Sequence, residues 1–378
     1  MREGWEIKTI GDVCEIRSGR NQKEVENPNG KYPIYGSGGI MGYADEYLCE
    51  AGATIIGRKG SINNPIFVET KFWNVDTAFG FSPKENVLPK FLFYFCKGFN
   101  FQDMNKGTTI PSLVKTDLLQ IRIPIPSLAE QQRIVGILDQ EFAKIDALKA
   151  NAEKSLQAAK DLFRKSMDIL LSPQANWTET TLGEICSKIG SGATPSGGKR
   201  AYQKEGISLI RSLNVHNNEF RYEDLAHINA IQASSLNNVE IHSGDVLFNI
   251  TGASVTRCCL VPDDVIPARV NQHVSILRLI PETIIPALLV FILISPRQNE
   301  LLMKTAENGA TRQAITKREL EQWHIQYPVS TEEQQAIIAH LNDLDNKCQS
   351  LRENYQETLA LCDDLKQSLL RKAFNGEL

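Results

Sequence analysis

A chain of 378 residues exceeds one compact domain and implies two or three. With 42% hydrophobic and 23% charged residues the composition is ordinary for a globular protein, which excludes disorder and fibrous repeats. The balance of 41 Lys plus Arg against 45 Asp plus Glu, a net charge of −4, excludes a basic DNA-coating protein.

The opening stretch, MREGWEIKTI, lacks the apolar core of an export signal, so a cytoplasmic protein is expected. Residues 1–126 read as a mixed module dominated by β-structure. Ala53-Thr-Ile-Ile56 and Pro65-Ile-Phe-Val68 predict strands between turn residues, and Pro89–Cys96 predicts a short helix. Residues 127–171 contain no Gly or Pro except Gly136 and predict one long helix. Ser127 followed by Glu130 is a capping box at its start, and Pro173 stops it. Residues 172–328 read as a second module, with strands at Asp245-Val-Leu-Phe248 and Val274-Ser-Ile-Leu277 and a helix at Pro286–Ile294. The longest apolar stretch, Ile284–Ile294, has 11 residues interrupted by Pro286, about half of the ~20 that span a bilayer, so no membrane contact is expected. Residues 329–378 predict the second long helix and carry the acidic excess, 5 basic against 9 acidic residues. Both modules are nearly neutral, at 15 against 14 and 14 against 15. The eight cysteines form no CxxC pair, and Cys258 and Cys259 are adjacent. Reduced thiols are expected, with no zinc or other metal site.

The chain repeats itself. Trp5-Glu-Ile-Lys-Thr-Ile-Gly-Asp-Val-Cys14, then Ser18-Gly19, returns as Trp177-Thr-Glu-Thr-Thr-Leu-Gly-Glu-Ile-Cys186, then Ser191-Gly192. Lys106-Gly-Thr-Thr-Ile-Pro-Ser-Leu113 answers Asn308-Gly-Ala-Thr-Arg-Gln-Ala-Ile315, and Pro126 with Glu130-Gln-Gln132 answers Pro328 with Glu333-Gln-Gln335. The register offset grows from 172 to 202–203, so the second copy holds about thirty extra residues.

Both helices have near-heptad apolar spacing. In the central one Leu138, Phe142, Ile145, Lys149, Ala152, Leu156, Ala159 and Phe163 step by four and three, with Lys149 as a flaw. In the last one Leu344, Cys348, Leu351, Tyr355, Thr358, Cys362, Leu365 and Leu369 do the same. Each stripe needs a partner, and the other helix is the obvious one, the alternative being that each lies on its own module. The expected fold is therefore α+β, with two β-rich modules in pseudo-twofold duplication and two long helices forming an antiparallel coiled coil. A helix of about 45 residues extends roughly 65 Å at ~1.5 Å per residue. Two modules spaced by such a rod have the geometry that dimers use to read half-sites at a set separation, about 34 Å per turn of DNA.

These residues resemble the specificity subunit of type I restriction–modification systems over essentially the whole chain. The resemblance rests on Gly30-Lys-Tyr-Pro-Ile-Tyr-Gly-Ser-Gly-Gly-Ile40, Gly107-Thr-Thr-Ile-Pro-Ser-Leu-Val114 and Ile123-Pro-Ile-Pro-Ser-Leu-Ala-Glu-Gln-Gln-Arg-Ile134. In the second half it rests on Gly244-Asp-Val-Leu-Phe-Asn-Ile-Thr-Gly-Ala-Ser254, Val270-Asn-Gln-His-Val274 and the C-terminal Leu370-Arg-Lys-Ala-Phe-Asn-Gly-Glu-Leu378. It implies target-recognition domains at 1–126 and 172–328, each reading one half of a split site on double-stranded DNA, and helical spacers at 127–171 and 329–378. It also implies two methyltransferase subunits and, in the full complex, restriction subunits. S-adenosylmethionine and ATP would serve those partners, while the specificity subunit does no chemistry and holds no cofactor. The nearly neutral recognition domains depart from the family pattern.

Enzyme motifs do not hold up. Asn64-Pro65-Ile66-Phe67 is close to the Asn-Pro-Pro-aromatic signature of adenine methyltransferases but lacks its second proline. Gly192-Ala-Thr-Pro-Ser-Gly-Gly-Lys199 misses the phosphate-binding loop by one residue, with no Ser or Thr after the lysine. Pro262-Asp-Asp264 has no nearby acid-x-lysine partner, and the six histidines do not cluster.

DNA contact needs cations for phosphates and amide or guanidinium groups for base edges. In the first half the candidates are Arg58, Lys59 and Ser61 between Gly57 and Gly60, the Lys106, Thr108, Thr109 run, and more weakly Lys71. In the second half they are Asn249, Thr251, Ser254 and Arg257, then Arg269, Asn271, Gln272 and His273. Thr311 and Arg312 repeat the 106–109 site by position. A solvated turn is the alternative for 57–61, and internal hydrogen bonding for Asn271 and Gln272. The rival for the whole chain is a protein-interaction scaffold with two β-rich binding modules on a coiled-coil rod.

Overall fold

The computed structural model describes residues 4–195, 198, 202–307 and 313–378. The first strand, β1 (Glu6–Thr9), enters β2 (Cys14–Ser18) through a single helical turn, α1 (Ile10–Val13). A capping box makes that turn: the Asp12 amide donates to Thr9 Oγ1, and the Thr9 amide donates to the Asp12 carboxylate at 2.8 Å. Those bonds, from the Thr9 side chain first, hold the Asp12 carboxyl below its usual range. There follow β3 (Tyr32–Gly36), β4 (Gly39–Ala44), β5 (Ala53–Gly57), β6 (Ile66–Val68), β7 (Trp73–Asn74) and β8 (Ala78–Pro83). The helices α2 (Pro89–Gly98) and α3 (Lys115–Leu118) and the strand β9 (Arg122–Ile125) complete the module. An antiparallel sheet runs β2-β8-β5-β6, and a second sheet runs β4-β3-β7 with β7 parallel to β3. The first strand pairs with the last, β1 with β9.

After α4 (Leu128–Leu170) the same order returns. It runs β10 (Trp177–Thr181), α5 (Leu182–Ile185), β11 (Cys186–Ser191), β12 (Ile207–Ile210), β13 (Val215–His216), β14 (Glu219–Phe220), β15 (Ala226–Ile228) and α6 (Ala230–Ser234). It continues with β16 (Val246–Asn249), β17 (Cys258–Leu260), β18 (Ala268–Val270), β19 (Val274–Leu279), α7 (Pro286–Ile294), α8 (Pro296–Glu307), α9 (Lys317–Glu321) and β20 (His324–Pro328). The sheets β11-β19-β16-β17 and β15-β12-β18 and the ribbon β10–β20 reproduce those of the first copy, strand for strand. The duplication read from four landmarks is thus a duplication of topology. The hairpin β13–β14 belongs to the longer connection of the second copy between β12 and β15. Adjacent Cys258 and Cys259 point to opposite faces of β17 and enter two different cores, and all eight thiols are free.

The chain closes with α10 (Thr331–Asn375). Two compact units divide it, Met1–Lys154 with Tyr355–Leu378, and Ser155–Asn354, so both long helices are cut near their middles. The helices therefore do not form separate domains. In the first unit Ile134, Val135, Leu138 and Phe142 of α4 and Leu370 and Ala373 of α10 belong to the module's own core. In the second, Met167 of α4 and Leu341 of α10 do the same.

Each long helix is fastened at its start by a buried glutamine. Gln131 accepts from the Leu88 amide at 2.9 Å and donates to the carbonyls of Asn86 and Pro126 at 2.9 and 3.0 Å. Gln334 accepts from the Ile285 amide at 2.8 Å and donates to the carbonyls of Thr283 and Pro328 at 3.5 and 2.9 Å. These are the first glutamines of the two Glu-Gln-Gln triplets. Ser127 Oγ accepts from the Glu130 amide and Ser330 Oγ from the Glu333 amide, at 3.3 and 3.2 Å, capping both helices alike.

The two helices run antiparallel: Lys149 meets Asp363 at 2.8 Å, while Asp146, three residues back, meets Lys366, three residues on. In the second unit Cys348 lies against the backbone of Phe163. On α4 the expected seam residues Leu138, Phe142, Ile145, Leu156 and Phe163 all face inward, wholly or partly buried, and the Lys149 flaw is an interhelical ion pair. On α10, Leu344 and Tyr355 are half-buried and Leu369 packs on the first core, but two expectations need correction. Leu351 and Leu365 are 40% and 49% exposed. Their places in the stripe go to Arg352, paired with Asp345 at 3.4 Å, and Lys366, whose ammonium lies 5.2 Å from the centre of the Phe142 ring. Long cationic side chains bury their stems and keep their heads wet, so at these two places the stripe passes one residue beyond the leucine.

Replacing Gln131 by Leu leaves the Leu88 amide and two carbonyls without a partner, at ~1–3 kcal/mol for each buried orphan that water does not reach. Urea melts should show Gln131→Leu destabilising by roughly 3 kcal/mol and Gln132→Leu, exposed, by under about 0.5 kcal/mol. Equal costs would remove the tether from the account.

Candidate nucleic-acid interface

In the first module the end of β5 turns sharply at Gly60, whose φ of +79° suits glycine. The turn is stitched to the loop before α3. Lys59 bridges Ser112, the Gly60 amide donates to the Pro111 carbonyl at 2.9 Å, and the Leu113 amide donates to the Arg58 carbonyl at 2.9 Å. From its other side the Arg58 amide donates to the Thr77 carbonyl at 2.8 Å, and its guanidinium donates to the Asp76 carbonyl at 3.2 Å. Asn105 shapes the adjoining loop: its Oδ1 accepts from the amides of Gly107 and Ser112 at 2.8 and 2.9 Å. Gly107 is required there, since a Cβ would fall 1.9 Å from the Ile110 carbonyl oxygen. The two runs singled out in the sequence, 57–61 and 106–109, are thus one surface, on which Lys59, Ser61, Lys106, Thr108 and Thr109 are exposed.

The second module builds the same turn. Gly252 has φ of +77°, Thr251 bridges Ala314, the Gly252 amide donates to the Gln313 carbonyl at 2.9 Å, and the Ile315 amide donates to the Ile250 carbonyl at 2.9 Å. The Ile250 amide donates to the His273 carbonyl at 3.0 Å, as Arg58 does to Thr77. Here the side chains line an open depression of about 500 Å³, with Thr251, Ser254, Arg257 and His273 joined by Ser212 and Leu213. Thr251 Oγ1 and His273 Nδ1 are 2.6 Å apart, and Gln272 Nε2 is 3.1 Å from His273 Nε2. The Thr194 hydroxyl donates to Gln272 Oε1. The Arg257 guanidinium lies 3.4 Å from the His216 ring, whose pKa is lowered by burial first and then by Arg221 and Arg257.

The family model for the type I restriction modification DNA specificity domain matches residues 2–158 and 174–360. The chain belongs to the type I restriction–modification specificity family. It is 26% identical over 359 residues to the EcoBI specificity subunit of Escherichia coli, covering 86% of this chain and 73% of that one. It is 23% identical over 330 residues to the EcoKI specificity subunit of Escherichia coli strain K12, covering 78% and 67%. A solved structure described under complex assembly and conformational transition of the type I R-M system superposes with a TM-score of 0.79 at 20% identity, over 100% of this chain and 99% of that one. The HsdS subunit from Thermoanaerobacter tengcongensis gives 0.59 at 19% identity, over 100% and 98%. Both share the fold.

Three residues expected to read bases in this specificity chain are committed inside it. Asn249 is fully buried and donates to the Ser212 carbonyl at 2.9 Å. The Arg269 side chain is 7% exposed, donating to the carbonyls of Ala233 and Ala268 and to Asn237 Oδ1, with Glu240 at 3.5 Å. Asn271 is buried, accepting from the His273 amide at 3.0 Å, the internal role left open for it above. Lys71 is held by Glu50 and the Tyr47 hydroxyl, both at 2.9 Å, and these bonds, Tyr47 first, raise its pKa. Thr311 and Arg312 lie outside the described residues, though 313–315 make the cross-loop bonds of 111–113. Gly192 packs closely, since a Cβ there would sit 1.8 Å from the Val270 carbonyl oxygen, while 196, 197 and Lys199 of the same run lie outside the described residues. Among the described residues no group of three His, Cys, Asp or Glu side chains is placed to hold a metal ion, and no helix is long and apolar enough to cross a membrane.

Sequence reading missed Asp76 and Thr77, which carrying the repeat through the strands would have placed opposite Gln272 and His273. It missed Ser212, Leu213 and His216 because the copies diverge after β12. The lowered His216 pKa makes its neutral form the stabilising one. That contribution is complete above about pH 6.5, the unfolded value, and is lost as pH falls through the folded pKa. In urea melts between about pH 8 and 5, wild type should lose its advantage over His216→Gln on the acid side. A gap independent of pH would contradict the burial of this ring.

Proposed function

We propose that this chain is the sequence reader of a type I restriction–modification complex, each module reading one half of a split site on double-stranded DNA. The observation that carries this reading is the glycine turn built twice. The backbone bonds are the same in both modules, but one turn presents Arg58 and Lys59 and the other Ile250 and Thr251. One scaffold with two sets of side chains suits two half-sites of different sequence. Exposed cations beside an open backbone suit phosphates, and hydroxyl, guanidinium, imidazole and amide groups around a depression suit base edges.

In this reading the chain is non-catalytic and holds no cofactor. Two methyltransferase subunits, using S-adenosylmethionine, methylate one adenine in each half-site after flipping it out of the duplex. Restriction subunits, driven by ATP, cleave the unmodified site, and the complex works in the cytoplasm. A protein-interaction scaffold is the competing class, and salt-dependent binding to duplex DNA separates the two.

Methylome sequencing of cells that express the chain with the methyltransferase of its own system should give a split motif, methylated on adenine only when the chain is present. An assembled, active complex that yields no such motif would favour the scaffold. Within the complex, Lys59→Ala should weaken binding to all sequences and reduce the slope of log affinity against log salt by about one unit. Arg257→Ala should cost ~1–3 kcal/mol at one base position of the second half-site and relax the preference there.

A further inference from the structure

We propose that Leu213 reads the 5-methyl group of a thymine in the half-site of the second module, an inference that rests on the DNA-reading assignment above. Leu213 is 40% exposed and lines the depression beside Thr251, Ser254, Arg257 and His273. It is the largest apolar side chain of a lining that also holds Ala253, beside hydroxyl, guanidinium and imidazole groups, and hydrogen bonds hold its segment in place. On one side the Asn249 amide donates to the Ser212 carbonyl at 2.9 Å. On the other, fully buried Asn214 accepts from the Arg211 amide at 3.1 Å and donates to the carbonyls of Arg221 and Glu223 at 2.9 and 3.2 Å. Two buried asparagines thus fix a segment that exposes an isobutyl group.

Such a group offers no hydrogen bond. Against N7, O6, O4 or an exocyclic amine it would strip water and return nothing. The thymine methyl is the one apolar feature of the major-groove edge, and contact with it needs no partner polarity. A cytosine at that position would lack the methyl and bury an amine donor. The first module has no counterpart at this place. Tyr35 and Ile210 occupy equivalent positions, accepting from the amides of Val75 and Asn271, and the next residues are Gly36-Ser-Gly-Gly39 against Arg211-Ser-Leu-Asn214. The effect is therefore confined to one half-site.

The test uses the full chain assembled with its methyltransferase subunits and duplexes in which each thymine of the site is replaced, one at a time, by uracil. Wild type should lose about fourfold in affinity at one position of the second half-site, the equivalent of ~0.8 kcal/mol for one buried methyl. Leu213→Ala should show no difference there, Leu213→Met should keep it, and exchanges in the first half-site should read alike in all three proteins. A wild type indifferent to every exchange in the second half-site overturns the proposal. So does sensitivity that survives in Leu213→Ala, or a half-site without thymine. If wild type fails to prefer its site over a scrambled duplex, the recognition reading falls and takes this inference with it.

Discussion

The architecture depends on two buried amides. Gln131 and Gln334 each join three things: the first turn of a long helix, the last carbonyl before it, and the N-terminus of the short apolar helix α2 or α7. An amide buried at this depth is tolerable only because its donors and acceptor find backbone partners, and those backbone groups would otherwise be orphaned in a dry interior. The bonds therefore set the angle at which each helix leaves its module. Once that angle is set, Leu138 and Phe142 fall into the first core, and Ile337, Ile338 and Leu341 into or against the second. The long helices are then continuations of the module cores.

That explains why the compact units cut through the helices. A heptad stripe on an isolated rod would be apolar throughout, whereas here only the ends need to be, because only the ends enter a core. Between them the seam mixes larger apolar residues, Ile145, Leu156 and Tyr355, with small and charged ones, Ala152, Ala159, Cys348, Cys362 and the Lys149–Asp363 and Lys366–Asp146 pairs. Partly exposed pairs of this kind contribute little to stability, but a wrongly registered helix would set like charges together. Register is the property they serve. Leucine spacing alone placed Leu351 and Leu365 in the seam because sequence periodicity scores side chains as apolar or polar. Arg352 and Lys366 are both, with stems that bury and heads that do not.

Legibility followed the same division. The duplication, both long helices, the Ser127 cap and the strands at 53–56, 65–68, 245–248 and 274–277 were readable because each rests on local chemistry. That 57–61 is a turn was readable too, since glycines bracket it and Gly60 takes the positive φ that glycine favours. The Asn249, Arg269 and Asn271 cluster misled because an amide suited to adenine is equally suited to a carbonyl in the interior. Which of the two it meets is decided by strands far away in sequence: Asn249 meets Ser212 across the β12 end. Leu213 was invisible for the opposite reason, being an unremarked leucine until the fold sets it among polar neighbours.

A chain of net charge −4 with neutral modules looks poorly suited to a polyanion, yet the formal sum is not what a phosphate meets. Many of its acids already have partners: Asp12 and Glu184 in caps, Asp245 with Arg278 at 2.8 Å, Asp139 with Lys90 at 2.9 Å, Asp363 with Lys149. Exposed Lys59 at the turn of the first module and Arg257 beside the turn of the second each sit with hydroxyls and open backbone, and screening at physiological salt confines their influence to about 8 Å. If the two turns contact DNA as proposed, affinity at each would be local and modest, and two turns in one chain would multiply it, since binding the first raises the effective concentration of the second. Weak, separate contacts of this kind leave discrimination to the base edges. That suits a protein whose task is to find one split site among many.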